Sequence, residues 1–218
     1  MKFRRKSDTT PADASTDVTE VSDTADPARV GPYDAADLPD DGIERIDLGS
    51  LLVAPQEGRE LRLQVEESSG TVQAVLLAGT DGMVELRAFA APRNGDLWSE
   101  VRPQLAADMA RRGGIATERE GDFGTELLCE LQVQRPDGTM AAQPSRIIGV
   151  NGERWLLRAT LMGRPAMEEA LPADWAETIR SVAVQRGIGA MPVGEPLPVV
   201  LPANARKVDQ PGTQPPSG

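Results

Sequence analysis

Residues 43–202 read as one α+β domain: a mostly antiparallel, twisted sheet of about seven to nine strands, packed by one main helix and one shorter helix, with disordered tails at both ends. Three observations predict this. Short apolar runs follow one another at spacings too small for helical crossovers, which favours antiparallel meander connections. Residues 98–112 carry the clearest helical stripe. Asn151-Gly152 stands between two apolar runs, a strong short-range hairpin signal.

Residues 1–42 form the first tail. Lys2, Arg4, Arg5 and Lys6 make a basic tip, and from Ser7 to Gly42 there are ten acids against one arginine. Thr, Ser, Ala and Pro fill the rest and leave almost nothing to bury, the composition of a disordered segment. Ile46–Val53 is the first expected strand. Arg59–Glu66 alternates, with Leu61, Leu63 and Val65 on one face. Val72–Ala78 is a nearly continuous apolar run suited to a central strand, and Met83–Ala91 follows the turn triplet Thr80-Asp81-Gly82. In the helix, Trp98, Val101, Leu105 and Met109 share a stripe, Arg111 and Arg112 suit the carboxyl-terminal dipole, and Gly113-Gly114 stops it. Pro103 is comfortable only in a first turn, so the regular helix is expected to start near Arg102.

A short strand from residue 115, a turn over Gly121–Gly124 and a strand Thr125–Gln134 come next. Leu127, Cys129, Leu131 and Val133 share one face of that strand, which makes Cys129 a buried thiol. Residues 135–144 read as a loop around Pro136-Asp137-Gly138. A two-residue type I′ turn at Asn151-Gly152 sets Val150 opposite Glu153, Ile148 opposite Trp155 and Arg146 opposite Leu157. Trp155, Leu157, Ala159 and Leu161 then face the core, and Arg154, Leu156, Arg158 and Thr160 line a half-polar face. A short helix over Ala173–Arg180 and a strand Val182–Gln185 follow. Four prolines between 187 and 202 prevent regular structure and make that segment an extended strap over a sheet edge, with a proline-rich ligand for a partner domain as the alternative. Residues 203–218 form the second tail.

The chain has no histidine and one cysteine. That excludes Ser-His-Asp and Cys-His catalysis, imidazole ligation and thiolate zinc sites. A lone thiol makes no intrachain disulfide and fits a reducing cytoplasm. The net charge of −11 argues against nucleic acid and anionic membranes as partners. No apolar run is long enough for a transmembrane helix, and the basic opening has no apolar stretch behind it to make a secretory leader. Arginine outnumbers lysine 20 to 3, which reads as codon bias. Asp122-Phe123-Gly124 spells a kinase magnesium motif without its companion motifs, so it reads as a turn with one anchoring aromatic. No cofactor or metal site is indicated.

The candidate binding residues are Arg154, Arg158, Glu126 and Glu130: two arginines on the polar face of one strand and two glutamates on the polar face of another. If those strands are neighbours, the four make a cross-strand ion-pair lattice, or a face that receives a small anionic ligand or an acidic partner peptide with the arginines as donors.

Trp98-Ser99-Glu100-Val101-Arg102-Pro103, Gly113-Gly114, Gly121-Asp122-Phe123-Gly124-Thr125-Glu126-Leu127, Gly152-Glu153-Arg154-Trp155-Leu156-Leu157-Arg158 and Arg186-Gly187 to Pro192, ending Pro196-Leu197-Pro198, together resemble an actinobacterial family of domains of unknown function, over roughly residues 40–202. The resemblance implies a soluble cytoplasmic protein and carries over no catalytic residue. The predicted fold is also similar to Mog1/PsbP-type sandwiches, a likeness that does not fix function. The leading expectation is a non-enzymatic interaction or scaffold module with a protein partner. The alternative is a small-molecule or anionic-ligand binding protein with a pocket between sheet and helix near Trp98 and Arg154. An enzyme using carboxylates and Mg²⁺ ranks third.

Overall fold

The structure is a computed structural model and describes residues 31–202. The expected tails at 1–30 and 203–218 lie outside the described residues. In chain order the elements are β1 (Tyr33–Asp34), β2 (Ile46–Asp47), β3 (Leu51–Val53), β4 (Glu60–Val65), β5 (Val72–Ala78), β6 (Gly82–Ala90), α1 (Leu97–Arg111), β7 (Ile115–Gly121), β8 (Gly124–Gln134), β9 (Met140–Asn151), β10 (Trp155–Gly163), α2 (Arg164–Met167), α3 (Ala173–Arg180) and β11 (Ala183–Val184). Seven strands form one antiparallel sheet in the order β4-β5-β6-β10-β9-β8-β7. The other four form a small sheet, β1-β11-β3-β2, in which β1 and β11 run parallel. The protein is a single α+β domain.

Both faces of the large sheet bury apolar side chains. On one, Val75, Leu77, Val84, Leu86, Ile148, Trp155, Leu157, Ala159 and Leu161 pack against Leu48, Leu51 and Val184 of the small sheet and against Trp175 and Ile179 of α3. On the other, Leu127, Cys129, Ile147 and Leu156 pack against Leu97 and Trp98 of α1. The half-polar face of β10 is therefore covered in part by α1. Leu156 is as buried as Leu157, because α1 supplies a second core where one was expected.

The hairpin corrects the turn. Asn151 pairs with Leu156, Val150 with Leu157, Ile148 with Ala159 and Arg146 with Leu161, so Gly152–Trp155 form a four-residue loop. The expected register is off by an even number, which leaves every side chain on its expected face. Neither Asn151 nor Gly152 has a positive φ. Gly152 donates to the carbonyl of Trp155 at 2.8 Å, and a methyl group at Gly152 would overlap the Trp155 ring. Asn151 serves α1 instead: its Oδ1 accepts from the Trp98 amide at 3.2 Å and its Nδ2 donates to Asp96 at 2.7 Å. Asp96 in turn caps the Ser99 amide at 3.1 Å. Doubly anchored at this end, α1 runs unbroken from Leu97 through Pro103, and the start expected near Arg102 is corrected by five residues.

Other boundaries move as well. The strand expected over Ile46–Val53 is a tight hairpin, turning at Gly49 with φ 80°. The loop expected over 135–144 ends at Thr139, because β9 begins at Met140. Residues 31–42 were expected within the tail, yet Tyr33 and Asp34 form β1 beside Ala183 and Val184, and the Asp34 carboxylate accepts from Trp155 Nε1 at 3.0 Å.

The proline-rich segment is the strap. β5 pairs β6 only over Met83–Leu86, leaving the far half of β6 with a bare edge. Gly194 and Leu197 donate to Ala90 and Ala88 at 2.8 Å each, and Ala90 donates to Glu195 at 2.9 Å. Further on, Val200 donates to Leu48 at 2.9 Å and Ser50 to Pro198 at 3.2 Å, stitching the small sheet to the large one. The strap thereby covers edge groups that would otherwise template aggregation.

Denaturant unfolding of single variants checks the hairpin. Trp155→Ala should cost about 3–5 kcal/mol, as for other buried aromatics. Gly152→Ala should cost about 1–3 kcal/mol through overlap with the ring. Asn151→Ala should cost about 0.5–2 kcal/mol as a lost helix cap. A neutral Gly152→Ala would mean that the indole does not lie over the turn.

Candidate functional site

The four residues singled out by sequence do not converge. β9 lies between β8 and β10, so Glu126 and Glu130 are not beside Arg154 and Arg158. Register also puts them on opposite faces. Arg158 pairs with Gly149 and shares the α1 side, whereas Glu126 and Glu130 share the side of Leu128, which pairs with Arg146. A face-to-face ion-pair lattice is excluded by this geometry.

Arg158 instead joins Arg87, its direct cross-strand neighbour on β6. α1 packs chiefly across β7, β8 and β9 and reaches β10 at Leu156 and β6 at Phe89, so the β10-β6-β5-β4 half of that face is covered by it only at this end. Leu76, Met83, Phe89, Thr160 and Met162 lie half-exposed around the two arginines. Arg87 Nε meets the Glu85 carboxylate at 2.8 Å. Arg158 forms no ion pair among the described residues and rests 5.1 Å from the centre of the Phe89 ring. Burial holds the Arg158 guanidinium below the ordinary arginine value, and the like charge of Arg87 adds to the shift.

On the opposite face Glu126 is 2% exposed and Arg146 wholly buried. Glu126 Oε1 lies 3.8 Å from Arg146 Nε and 3.5 Å from Arg119 Nη2. Arg146 donates through Nη2 to the carbonyls of Glu168 and Glu169, while its Nε and Nη1 have no hydrogen-bond partner. A side chain at Gly121 would run into the Glu126 carboxylate. Burial pushes the Glu126 carboxyl up, against the charges of Arg146 and Arg119. Burial likewise pushes Arg146 down. Sequence alternation gave Glu126 a solvated face and left Arg146 unmarked, because nothing local reports the loop at 168–171 that closes over them.

Arg154 belongs to a third place, the β9–β10 loop, where it lines a cavity of about 440 Å³ with Arg93, Arg186 and Asp34. Glu130 is exposed and accepts from Gln132 at 3.3 Å. The space expected to form a pocket between sheet and helix is filled by Trp98, 4% exposed, whose indole sits against Gly149 and donates to the Thr125 carbonyl at 2.7 Å. Among the described residues no three carboxylate or thiol groups lie close enough to hold a metal ion, and no helix is long and apolar enough to cross a membrane.

Residues 31–208 match the family described as Protein of unknown function (DUF3710). The chain belongs to that family. Its match begins at the first described residue and takes in β1, the strap and all three of these places. Comparison with curated proteins and with solved structures gives no match.

The buried pair has a pH signature. The folded Glu126 carboxyl holds its proton to a higher pH than the unfolded one, so its contribution to stability is full at acid pH and declines as pH rises above the ordinary value of 4.5 through the raised one. Glu126→Gln should remove that decline. Arg146→Met should cost on the order of 3 kcal/mol at pH 8, as when one member of a buried pair is removed, and less at pH 4.5, the ordinary carboxyl value above which Glu126 is raised. Urea unfolding at the two pH values measures both.

Proposed function

We propose that the protein is a cytoplasmic, non-enzymatic interaction module, and that the half of the large sheet left open by α1 receives an acidic helical segment of a partner protein. The observation that carries this reading is the Arg87–Arg158 pair: two neighbouring guanidiniums, one without a carboxylate, set among half-exposed apolar side chains in a chain of net charge −11. Desolvating like charges side by side is unfavourable unless a counter-charge arrives, and a partner carboxylate supplies charge-assisted hydrogen bonds to both. The dimensions agree. Four strands span about 14 Å between their axes, room for one helix of about 10–12 Å diameter lying alongside α1. The apolar rim of Leu76, Met83 and Met162 would take the helix's apolar stripe.

A photo-crosslinking amino acid at Thr160 tests the reading, with the same group at Gln104, exposed on α1, as control. Thr160 should yield an adduct whose crosslinked peptide is acidic and of helical periodicity. Arg87→Gln with Arg158→Gln should cut the yield about tenfold, equivalent to about 1.4 kcal/mol, while circular dichroism stays unchanged. Equal yields from Gln104, or no effect of the double change, would sink the proposal.

A further inference from the structure

The cavity around Arg154 is a separate case from the open face. Arg93, Arg154 and Arg186 converge on it from three different segments. Backbone hydrogen bonds hold those segments. Ala91 donates to the Arg154 carbonyl at 2.9 Å and Asn94 to the Glu153 carbonyl at 3.0 Å, which ties the segment of Arg93 to the loop of Arg154. Gln185, the residue before Arg186, donates to the Ser50 carbonyl at 2.9 Å. The three arginines thus stand on backbone that is already ordered, and a ligand gathering them has only side chains left to fix.

Their charges are unevenly answered. Arg93 is met by Glu153 at 3.3 Å. Arg154 forms no ion pair or side-chain hydrogen bond among the described residues. Arg186 donates through Nη1 to the Gly189 carbonyl at 3.3 Å, and its buried Nε has no hydrogen-bond partner. Asp34, the remaining charged wall, accepts from two neutral donors, Trp155 Nε1 and the Ala36 amide, both at 3.0 Å. Two guanidiniums therefore line the cavity without a counter-charge, in a chain whose net charge is −11.

These walls narrow the chemistry of a ligand. Two unanswered guanidiniums on one concavity suit a dianion. A phosphate monoester carries nearly two charges and three acceptor oxygens on a single group, which planar guanidinium forks bind in pairs of hydrogen bonds. The Asp34 carboxylate has lone pairs beyond its two hydrogen bonds, so it repels a second anionic group and accepts from a hydroxyl. Ile188, fully exposed on the same cavity, offers carbon surface to the body of the ligand. The volume, about 440 Å³, lies within the roughly 300–1,000 Å³ of small-molecule pockets. A larger polyanion would carry further charges past Asp34 and Glu153.

We infer that this cavity binds a small phosphomonoester with a hydroxylated body, a sugar phosphate in chemical class, with its phosphate on Arg154 and Arg186 and a hydroxyl on Asp34.

Ribose 5-phosphate is the probe, titrated into the full chain while the arginine Nε–Hε signals are followed by NMR. Arg154 and Arg186 should shift saturably. Arg158 on the open face and Arg111, exposed at the far end of α1, should not. Unphosphorylated ribose should cause no shift. Inorganic phosphate, which lacks the body, and succinate, which spreads its two charges, should each bind at least about tenfold more weakly. Arg154→Gln and Arg186→Gln should each lower the affinity for ribose 5-phosphate about tenfold with an unchanged circular dichroism spectrum. Absence of saturable shifts at Arg154, or full affinity in both variants, overturns the inference. Equal affinity for succinate or for inorganic phosphate overturns the assigned ligand class. Shifts at Arg158 in place of Arg154 would move the anion to the open sheet face and equally overturn this site.

Discussion

The indole of Trp155 is the constraint on which the rest of the fold depends. It enters β10 at its first residue, 2% exposed, and belongs to the larger core. Its ring lies over Gly152, so the preceding turn can carry no side chain there. Its N–H binds Asp34 and thereby brings in a strand 121 residues away in sequence. Seating the ring fixes the width of the β9–β10 loop, and that width fixes the register of β10 against β9, from Leu156 opposite Asn151 to Met162 opposite Ser145. Arg158 comes to stand opposite Gly149 for this reason, and Arg154, inside the loop, comes to line the cavity beside Asp34.

Much of this was legible in sequence where the chain's own period carries it. Alternation assigned the faces of β8 and β10 correctly, Val72–Ala78 and Ala173–Arg180 are bounded as expected, and the prolines marked the strap. Parity survives an even slip, which explains how a wrong turn type left the core residues right. What alternation does not encode is the layer above each face. Glu126 shared a face with Glu130 on paper, yet one is sealed under the loop at 168–171 and the other is exposed. Strand order was equally hidden: only the interposed β9 shows that the glutamates and arginines never meet. Asn151 was misread for a related reason. Its hydrogen bonds go to residues more than fifty positions away, where no local pattern reaches.

The excess of arginine over lysine acquires a physical role in the fold. Among the described residues guanidiniums lie over aromatic rings at four places: Arg59 over Trp175 at 3.8 Å, Arg158 over Phe89 at 5.1 Å, Arg180 over Phe123 at 5.2 Å and Arg102 over Trp98 at 5.9 Å. All three tryptophan side chains are buried, and two of them carry such a cation. A planar, weakly hydrated cation tolerates this half-buried setting, whereas a compact ammonium holds its water and leaves. The acidic total charge and the arginine-lined interior are thus compatible: carboxylates dominate the whole chain, and guanidiniums hold the seams.

The small sheet also bears on how the chain is made. It joins residues 33–34, 46–53 and 183–184, and the strap adds 194–200 to the same seam. Contacts of such sequence separation give a high contact order and slow folding. At about 5–20 residues per second of synthesis, the first of these strands waits on the order of ten seconds for its partner to be translated. During that interval the bare half of β6 is an open strand edge, the kind of surface on which nascent chains aggregate. The domain is closed by its strap, so its exposure to chaperones lasts until residues 194–200 have emerged from the ribosome and is not set by the packing of its core alone.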